Sequence, residues 1–216
     1  MSGRWGVGCY EGGDGRMAWE ISHDEIGRDM GSAQRALEGL GIGKGSRVLF
    51  CSMLSEAGQF WPWIVGAMLT GAQLSCSDAT EAEALRVATF CEALDFDAVL
   101  GVTPELVAGL AEDGKDLVDV FDGVRVLGAR PGAYEGLAAA GLHPSWFVLC
   151  GPAVALAREP GGPAVVDGDE WTLGAEGGHV TVSSVQPRAQ EFDRTVTAVR
   201  GEITDEGGLL PHPALP

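Results

Sequence analysis

Residues 22–49 read SHDEIGRDMGSAQRALEGLGIGKGSRVL, and this stretch decides the fold. Ser22 and Glu25 have the spacing of a capping box, in which each side chain accepts a hydrogen bond from the backbone amide of the other residue. Apolar residues then recur at intervals of three and four, as on the buried face of a helix. These residues are Ile26, Met30, Ala33, Leu37 and Leu40. Glycines at alternate positions of 39–45 end the helix, and residues 47–51 predict a short buried strand.

The alternation of helix and strand continues downstream. Pro62 suits the first turn of a second helix, because proline has no amide hydrogen to leave unbonded there, and Gly71 is typical of its end. Short apolar runs separated by helical patterns follow at 74–76, 98–102, 124–127 and 146–149. Strands that alternate with helices favour right-handed crossovers and a parallel sheet. The sequence therefore predicts an α/β fold with a mainly parallel sheet flanked by helices.

The ends of the chain have a different pattern. Gly12 to Gly15 suit a hairpin turn, and short β-like runs occur at 171–173, 179–183 and 195–203. We therefore expect a smaller β-rich part toward the C-terminus. The predicted organisation is an α/β domain at 1–150, a β-rich subdomain at 151–208 and a loose, proline-containing tail at 209–216.

Composition excludes several partners. The 14 basic and 31 acidic residues give a formal net charge of −17, and an acidic surface repels nucleic-acid phosphates and anionic lipid headgroups. No apolar stretch approaches the roughly 20 residues needed to span a bilayer, and the N-terminus lacks the long apolar segment of a signal peptide. We therefore expect a cytoplasmic protein. Its five cysteines lack metal-ligand spacing, which favours buried free thiols over a redox or metal role.

Two segments resemble a known family. Residues 40–48 read LGIGKGSRV, similar to the "LGxxxGDRV" that joins a helix to a strand in adenylate-forming (AMP-binding) acyl-CoA synthetases and ligases. Residues 177–184, GGHVTVSS, followed by FDRT at 192–195, are similar to the "GELVVTSL" and "RYRTGD" that close the large domain of that family. The surrounding stretches together cover a little over half the chain. The resemblance implies a truncated relative of the N-terminal large domain.

The sequence lacks the residues that the family uses to bind ATP and form an adenylate. The family holds ATP phosphates with a Ser/Thr/Gly-rich loop that carries a lysine, but this chain has only Lys44 and Lys115, and Lys44 belongs to the turn before a strand. The ribose-binding aspartate of the family would fall near 197–199, which reads Thr-Ala-Val. The chain also ends before the distal lysine-bearing domain. We therefore predict no catalytic residue, no metal site, no cofactor and no adenylate formation by this chain alone.

Other motifs fail on context. The glycines of 39–45 follow a helix and precede a strand, whereas a dinucleotide loop follows a strand and opens a helix. The acidic residues 167–170 lack the ligand ladder of a calcium loop, so we interpret them as a turn before a strand. The four histidines share no metal-binding spacing.

Two residue sets remain candidate sites. Trp61 and Trp63 either pack in the core at a helix start or form a contact surface for a partner. Arg188, Arg194 and Arg200 stand out in an acidic chain. They are either solvated and salt-bridged, or they form a local anion site.

Three functions are consistent with a retained scaffold and absent phosphate chemistry. The leading hypothesis is a catalytically degenerate homologue that acts as a binding or partner subunit. The alternatives are one part of a split acyl- or aryl-CoA ligase, and a stand-alone binder of a small carboxylic acid or acyl thioester. We also expect a homo-oligomer or a protein partner, because loss of neighbouring layers would uncover apolar surface.

Overall fold

The computed structural model describes residues 3–212. Its helices are α1 (His23–Gly39), α2 (Ala57–Thr70), α3 (Ala84–Ala93), α4 (Pro104–Glu112), α5 (Leu117–Val120) and α6 (Ala133–Ala139). The first strands are β1 (Arg4–Gly12), β2 (Gly15–Ser22), β3 (Arg47–Cys51), β4 (Gln73–Ser77), β5 (Ala98–Val102), β6 (Val126–Ala129) and β7 (Ser145–Cys150). The later strands are β8 (Ala153–Ala157), β9 (Ala164–Val165), β10 (Trp171–Glu176), β11 (His179–Ser184), β12 (Thr195–Ile203) and β13 (Leu209–Pro211).

The strands form one continuous mixed sheet. In the order β4-β3-β5-β6-β7 all neighbours are parallel, and from β7 through β8, β9, β13, β12 and β11 to β10 all neighbours are antiparallel. The β1–β2 hairpin joins the antiparallel part, where Gly12 pairs with Thr197 of β12. The predicted α/β fold with parallel strands followed by β structure is confirmed.

Helix α1 begins as the capping box predicts. The Ser22 amide donates to the Glu25 carboxylate at 2.6 Å, and the Glu25 amide donates to the Ser22 hydroxyl at 3.3 Å. Glu25 is almost fully buried, and its other carboxylate oxygen accepts a hydrogen bond from the Ala189 amide at 3.0 Å. One side chain therefore caps α1 and also fixes a loop of the C-terminal part.

The predicted start of α2 is wrong. The helix begins at Ala57, after a 3₁₀ turn at Leu54–Glu56, so Pro62 lies inside the helix. Proline there cannot donate the usual hydrogen bond to the carbonyl four residues earlier, but its ring is buried and contributes to packing. The predicted end is confirmed, because Gly71 has the left-handed conformation (φ +84°) that favours glycine.

Three apolar clusters hold the layers together. One packs α3, α4 and α6 on one face of the parallel sheet, and a second packs α1 and α2 on the other face. The third joins the β1–β2 hairpin to the C-terminal strands through Trp19, Trp171 and Phe192. The boundary predicted between residues 150 and 151 falls at the turn of the β7–β8 hairpin.

The predicted loose tail needs correction. Leu209–Pro211 form β13, which pairs with both β12 and β9, and the Leu209 side chain is fully buried. Prolines are tolerated at such short strand ends, which explains why the sequence pattern misled. Residues 213–216 of the predicted tail lie outside the described residues.

The five cysteines are free thiols in different environments. Cys51 and Cys150 are buried, and burial raises the pKa of Cys150 to about 12. Cys76 on β4 is exposed, so the prediction of buried thiols is wrong at this position. No helix within residues 3–212 combines the length and the apolar character needed to cross a membrane.

Candidate functional site

The carboxyl ends of three parallel strands open into a cleft of about 500 Å³. Thr103 follows β5, Arg130 follows β6 and Gly151 follows β7, and all three residues line this space. In open α/β sheets the crevice beyond the carboxyl ends of the strands is the usual ligand site, and this volume suits a small molecule. The edge of the sheet therefore provides the candidate site.

The opposite wall comes from the antiparallel part. Tyr10 of β1 and residues 198–200 of β12 face Val148 and Leu149 of β7 across the cleft. The lining combines apolar residues, among them Val148, Leu149 and Val199, with ionisable residues such as Glu105, Arg130 and Arg200. Such a mixed lining suits a small ligand that has both an apolar part and charged or polar groups.

An ion pair closes one end of the cleft. Arg130 donates to both carboxylate oxygens of Glu56 at 2.5 and 2.7 Å, and its guanidinium carbon lies 5.3 Å from the centre of the Phe60 ring. Burial alone would raise the pKa of Glu56, but the hydrogen bonds and charge of Arg130 outweigh it and lower the pKa. The charge of Arg130 is therefore neutralised by Glu56.

The ion pair makes stability depend on acid pH. Because the folded-state pKa of Glu56 is lowered, the pair stabilises the protein above the ordinary carboxyl pKa, and this contribution is lost as pH falls through the lowered value. We expect Glu56→Gln to reduce the free energy of unfolding at pH 7 by about 1–3 kcal/mol. This range lies between the losses typical of exposed ion pairs and those typical of buried ones. Urea unfolding from pH 7 to pH 3 should show the deficit shrinking below about pH 4.5. A pH-independent deficit would contradict this assignment.

Gln59 of α2 ties the walls of the cleft together. Its side-chain amide donates to the carbonyls of Cys9 and Gly151, at 3.1 Å each. These two acceptors fix the orientation of the amide, and its oxygen is buried without a hydrogen-bond partner in residues 3–212. Gln59 also lines a second cavity of about 440 Å³ between α1, α2 and the β8–β9 strands. The side chain therefore separates two cavities.

The backbone amides at this edge are already hydrogen-bonded. The Thr103 hydroxyl accepts from the Leu106 amide at the start of α4, and Glu135 accepts from the Gly132 amide before α6. Glu56 does the same for the Met53 amide before α2. A phosphate site at a helix start requires such amides to be free. These three amides are therefore not free to bind a phosphate.

Comparisons with known proteins identify the fold. No protein-family model and no curated protein matches the chain. A solved structure of 2-hydroxyisobutyryl-CoA ligase with 2-HIB-AMP and CoA matches with a TM-score of 0.65 and 16% identity, covering 97% of this chain and 50% of that chain. The NpsA N-terminal subdomain of Klebsiella oxytoca, with 3-hydroxyanthranilyl-AMSN, matches with a TM-score of 0.67 and 12% identity, covering 98% and 62%.

A third match is o-succinylbenzoate CoA synthetase of Bacillus subtilis, bound to the product analogue OSB-NCoA. Its TM-score is 0.63 at 13% identity, and the match covers 94% of this chain and 48% of that chain. This chain has the fold of the N-terminal domain of AMP-forming acyl-CoA ligases. It spans about half the length of 2-hydroxyisobutyryl-CoA ligase.

The residues that the resemblance associated with acyl-CoA ligase chemistry lie in different places. Lys44 precedes β3, at the amino end of the parallel strands, and Lys115 pairs with Glu92 at 2.7 Å. In residues 197–199, the Thr197 hydroxyl is buried and donates to the Val180 carbonyl at 2.9 Å, while the other two residues line the cleft. Neither lysine lies in the cleft.

The three candidate arginines do not form one anion site. Arg188 is buried against the carboxylates of Asp29 and Glu170, and Arg194 is exposed and paired with Glu176 at 3.1 Å. Only Arg200 lines the cleft, where it is exposed and forms no ion pair with residues 3–212. The three arginines therefore do not share one site, and only Arg200 remains a candidate for binding an anion in the cleft.

The two candidate tryptophans also separate. Trp63 is 6% exposed and packs edge-on against Phe147 in the core, so it cannot be a partner contact. Trp61 is 43% exposed, and its ring centre lies 6.4 Å from that of Trp5 on β1. Helix residues three or four positions apart share a face, whereas Trp61 and Trp63 are two positions apart and therefore point to different faces. Trp61 alone remains available at the surface.

Sequence reasoning missed Glu56, Gln59 and Arg130. Arg130 could have been found, because it follows a strand that the sequence predicts, and ligand-site residues collect at the carboxyl ends of parallel strands. Glu56 and Gln59 carried no such signal, since the 3₁₀ turn and the true start of α2 were not predicted. No three His, Cys, Asp or Glu side chains of residues 3–212 converge on a possible metal position.

Proposed function

We propose that the chain is a non-adenylating relative of acyl-CoA ligases that acts as a binding subunit for a small carboxylic acid or its acyl thioester. The observation that carries the proposal is the cleft at the carboxyl ends of β5–β7, which combines apolar lining residues with Arg200, a side chain that forms no ion pair within residues 3–212. A guanidinium binds a carboxylate through two parallel hydrogen bonds. The apolar lining residues Val148, Leu149 and Val199 would contact the rest of the acid.

The fold supports the choice of ligand class. The solved structures with this fold contain 2-HIB-AMP and CoA, 3-hydroxyanthranilyl-AMSN and OSB-NCoA. This chain spans about half of two of those proteins, and the described lining of its cleft contains no lysine. The acyl portion therefore fits the described cleft better than the polyphosphate of ATP.

Ligand binding can be tested with calorimetry on a panel of short, branched and aromatic acids and their CoA thioesters. We expect at least one ligand to bind, and Arg200→Ala to weaken its binding about tenfold through loss of a charge-assisted hydrogen bond. Arg194→Ala is a matched control, because Arg194 is also exposed and near one end of β12 but does not line the cleft. Equal losses in both variants, or no binding across the panel, would contradict the proposal.

A second prediction concerns catalysis. We expect no pyrophosphate exchange dependent on ATP and an acid, since Lys44 lies at the amino end of the strands and Lys115 is paired with Glu92. The assay should use the same acids that bind in calorimetry, with a complete acyl-CoA ligase as positive control. Exchange above the no-enzyme background would overturn the claim that this chain does not adenylate. Exchange only after addition of a second polypeptide would favour the split-ligase alternative.

A further inference from the structure

Helix α2 has an exposed face made of large apolar side chains. Trp61, Val65, Met68 and Leu69 lie on one side of the helix, because residues spaced by three and four share a face. Trp61, Met68 and Leu69 are 43%, 60% and 57% exposed. We call these four residues the α2 ridge.

The surroundings of the α2 ridge extend its apolar character. Trp5 of β1 packs next to Trp61, and Leu54 in the turn before the helix is 87% exposed. No Asp, Glu, Lys, Arg or His occurs in residues 57–77, although 21% of the chain is charged. Part of this stretch is buried, but its exposed members form an uncharged surface, and contiguous exposed apolar surface often marks an interaction site.

The uncharged stretch runs from the ridge into the edge of the sheet. β4 is the terminal strand, and within residues 3–212 it pairs with β3 alone. Open edges are commonly protected by charged residues or proline, and Gln73–Ser77 contains neither. Backbone groups along this edge are therefore available to another strand.

We propose that the α2 ridge and the β4 edge form the interface between two copies of this chain. Each copy carries a net charge of −17, so two copies repel one another over most of their surface, and an uncharged face is where they can approach. A two-fold axis would place the same face of both copies in contact, with Trp61 of one copy near Met68 and Leu69 of the other. Sulfur and aromatic rings pack favourably in such contacts.

The available area is sufficient for a dimer. The exposed parts of the ridge, Trp5 and Leu54 amount to roughly 500 Å² per copy, so the contact would bury roughly 1,000 Å² in total. Specific interfaces begin at about this size. This inference goes beyond ligand binding, because the interface does not include the cleft.

Analytical ultracentrifugation of the purified chain tests the proposal. We expect a reversible dimer at micromolar concentration that tightens as salt rises from about 0.05 to 0.5 M, because salt screens the repulsion between acidic copies. Met68→Glu and Leu69→Glu should each weaken dimerisation at least tenfold, since two-fold symmetry introduces every substitution twice. Circular dichroism and thermal unfolding should show that both variants remain folded.

Leu85→Glu provides the matched control. Leu85 is 50% exposed on α3, which packs on the opposite face of the parallel sheet, so this variant should dimerise like the wild type. A monomeric wild type at tens of micromolar would overturn the proposal, and so would a dimer that is insensitive to Met68→Glu and Leu69→Glu. A monomer that binds a different protein through the ridge would exclude the second copy as occupant. Ligand binding in the cleft should be unaffected in every case.

Discussion

Arg188→Ala should lower the free energy of unfolding by about 3–5 kcal/mol, which corresponds to a fall in Tm of roughly 10 °C. The Arg188 side chain is 2% exposed and donates to both carboxylate oxygens of Asp29, at 3.0 and 2.7 Å, and to Glu170 at 2.9 Å. Its guanidinium carbon also lies 3.8 Å from the centre of the Trp171 ring. Alanine at this position would remove the cation that Asp29 and Glu170 share and leave the two carboxylates to repel each other.

Chemical denaturation measured by tryptophan fluorescence and circular dichroism checks this prediction. Arg194→Ala removes an exposed pair with Glu176 and should cost about 1 kcal/mol or less. Arg188→Lys separates charge from geometry, because lysine keeps the charge but cannot form the two-pronged contact with Asp29 or stack on Trp171 in the same way. We expect Arg188→Lys to fall between alanine and the wild type. Equal stability of Arg188→Ala and Arg194→Ala would show that the buried pair contributes nothing.

Gly101→Ala should destabilise the fold by a similar amount, about 3–5 kcal/mol. Gly101 lies in β5 with φ +91°, where a side chain is strained, at a register shift between Leu100 and Val102. A Cβ atom there would lie 2.3 Å from the Cys51 carbonyl oxygen of β3 and 2.8 Å from the Phe60 ring. Since β3 is held by β4 on one side and β5 on the other, this carbonyl cannot move away without disturbing the sheet.

Gly43→Ala is the control for Gly101→Ala. Gly43 lies in the turn before β3, its φ is not positive, and a Cβ atom would meet nothing within 4 Å. Alanine there should leave stability unchanged or raise it by up to about 1 kcal/mol, because it restricts the unfolded chain. Urea titration of both variants gives the comparison. A Gly101→Ala variant as stable as Gly43→Ala would mean that β3 and β5 can separate more easily than their packing indicates.

The elements that sequence predicts well are those whose signals are local. The capping box of Ser22 and Glu25 and the strand limits of β3, β5 and β12 agree with the structure, because each depends on neighbouring residues. Gly71 likewise ends α2 through its own backbone conformation. Local hydrogen bonding and the alternation of helical and strand patterns along the sequence are therefore enough to predict most of the α/β fold.

The site could be predicted only in part because its contacts are distant in sequence. Glu56 and Arg130 are 74 residues apart, and Arg188 is 159 residues from Asp29. An isolated arginine in an acidic chain does not reveal whether a carboxylate already holds it, so Arg188 was indistinguishable from Arg200. The packing of Trp63 against Phe147 is equally invisible until α2 is placed on the sheet.

The pairing of β1 with β12 has a consequence for biosynthesis. Residue 12 meets residue 197, so the β1–β2 hairpin cannot complete its pairing with β12 until residue 197 has left the ribosome. Until then the Tyr10 ring lacks its contact with Phe192, whose ring centre lies 6.4 Å away in the finished protein. Contacts between such distant residues also slow folding, because a long loop must close before they form. Part of the apolar surface of the hairpin therefore stays uncovered during synthesis until β12 is available.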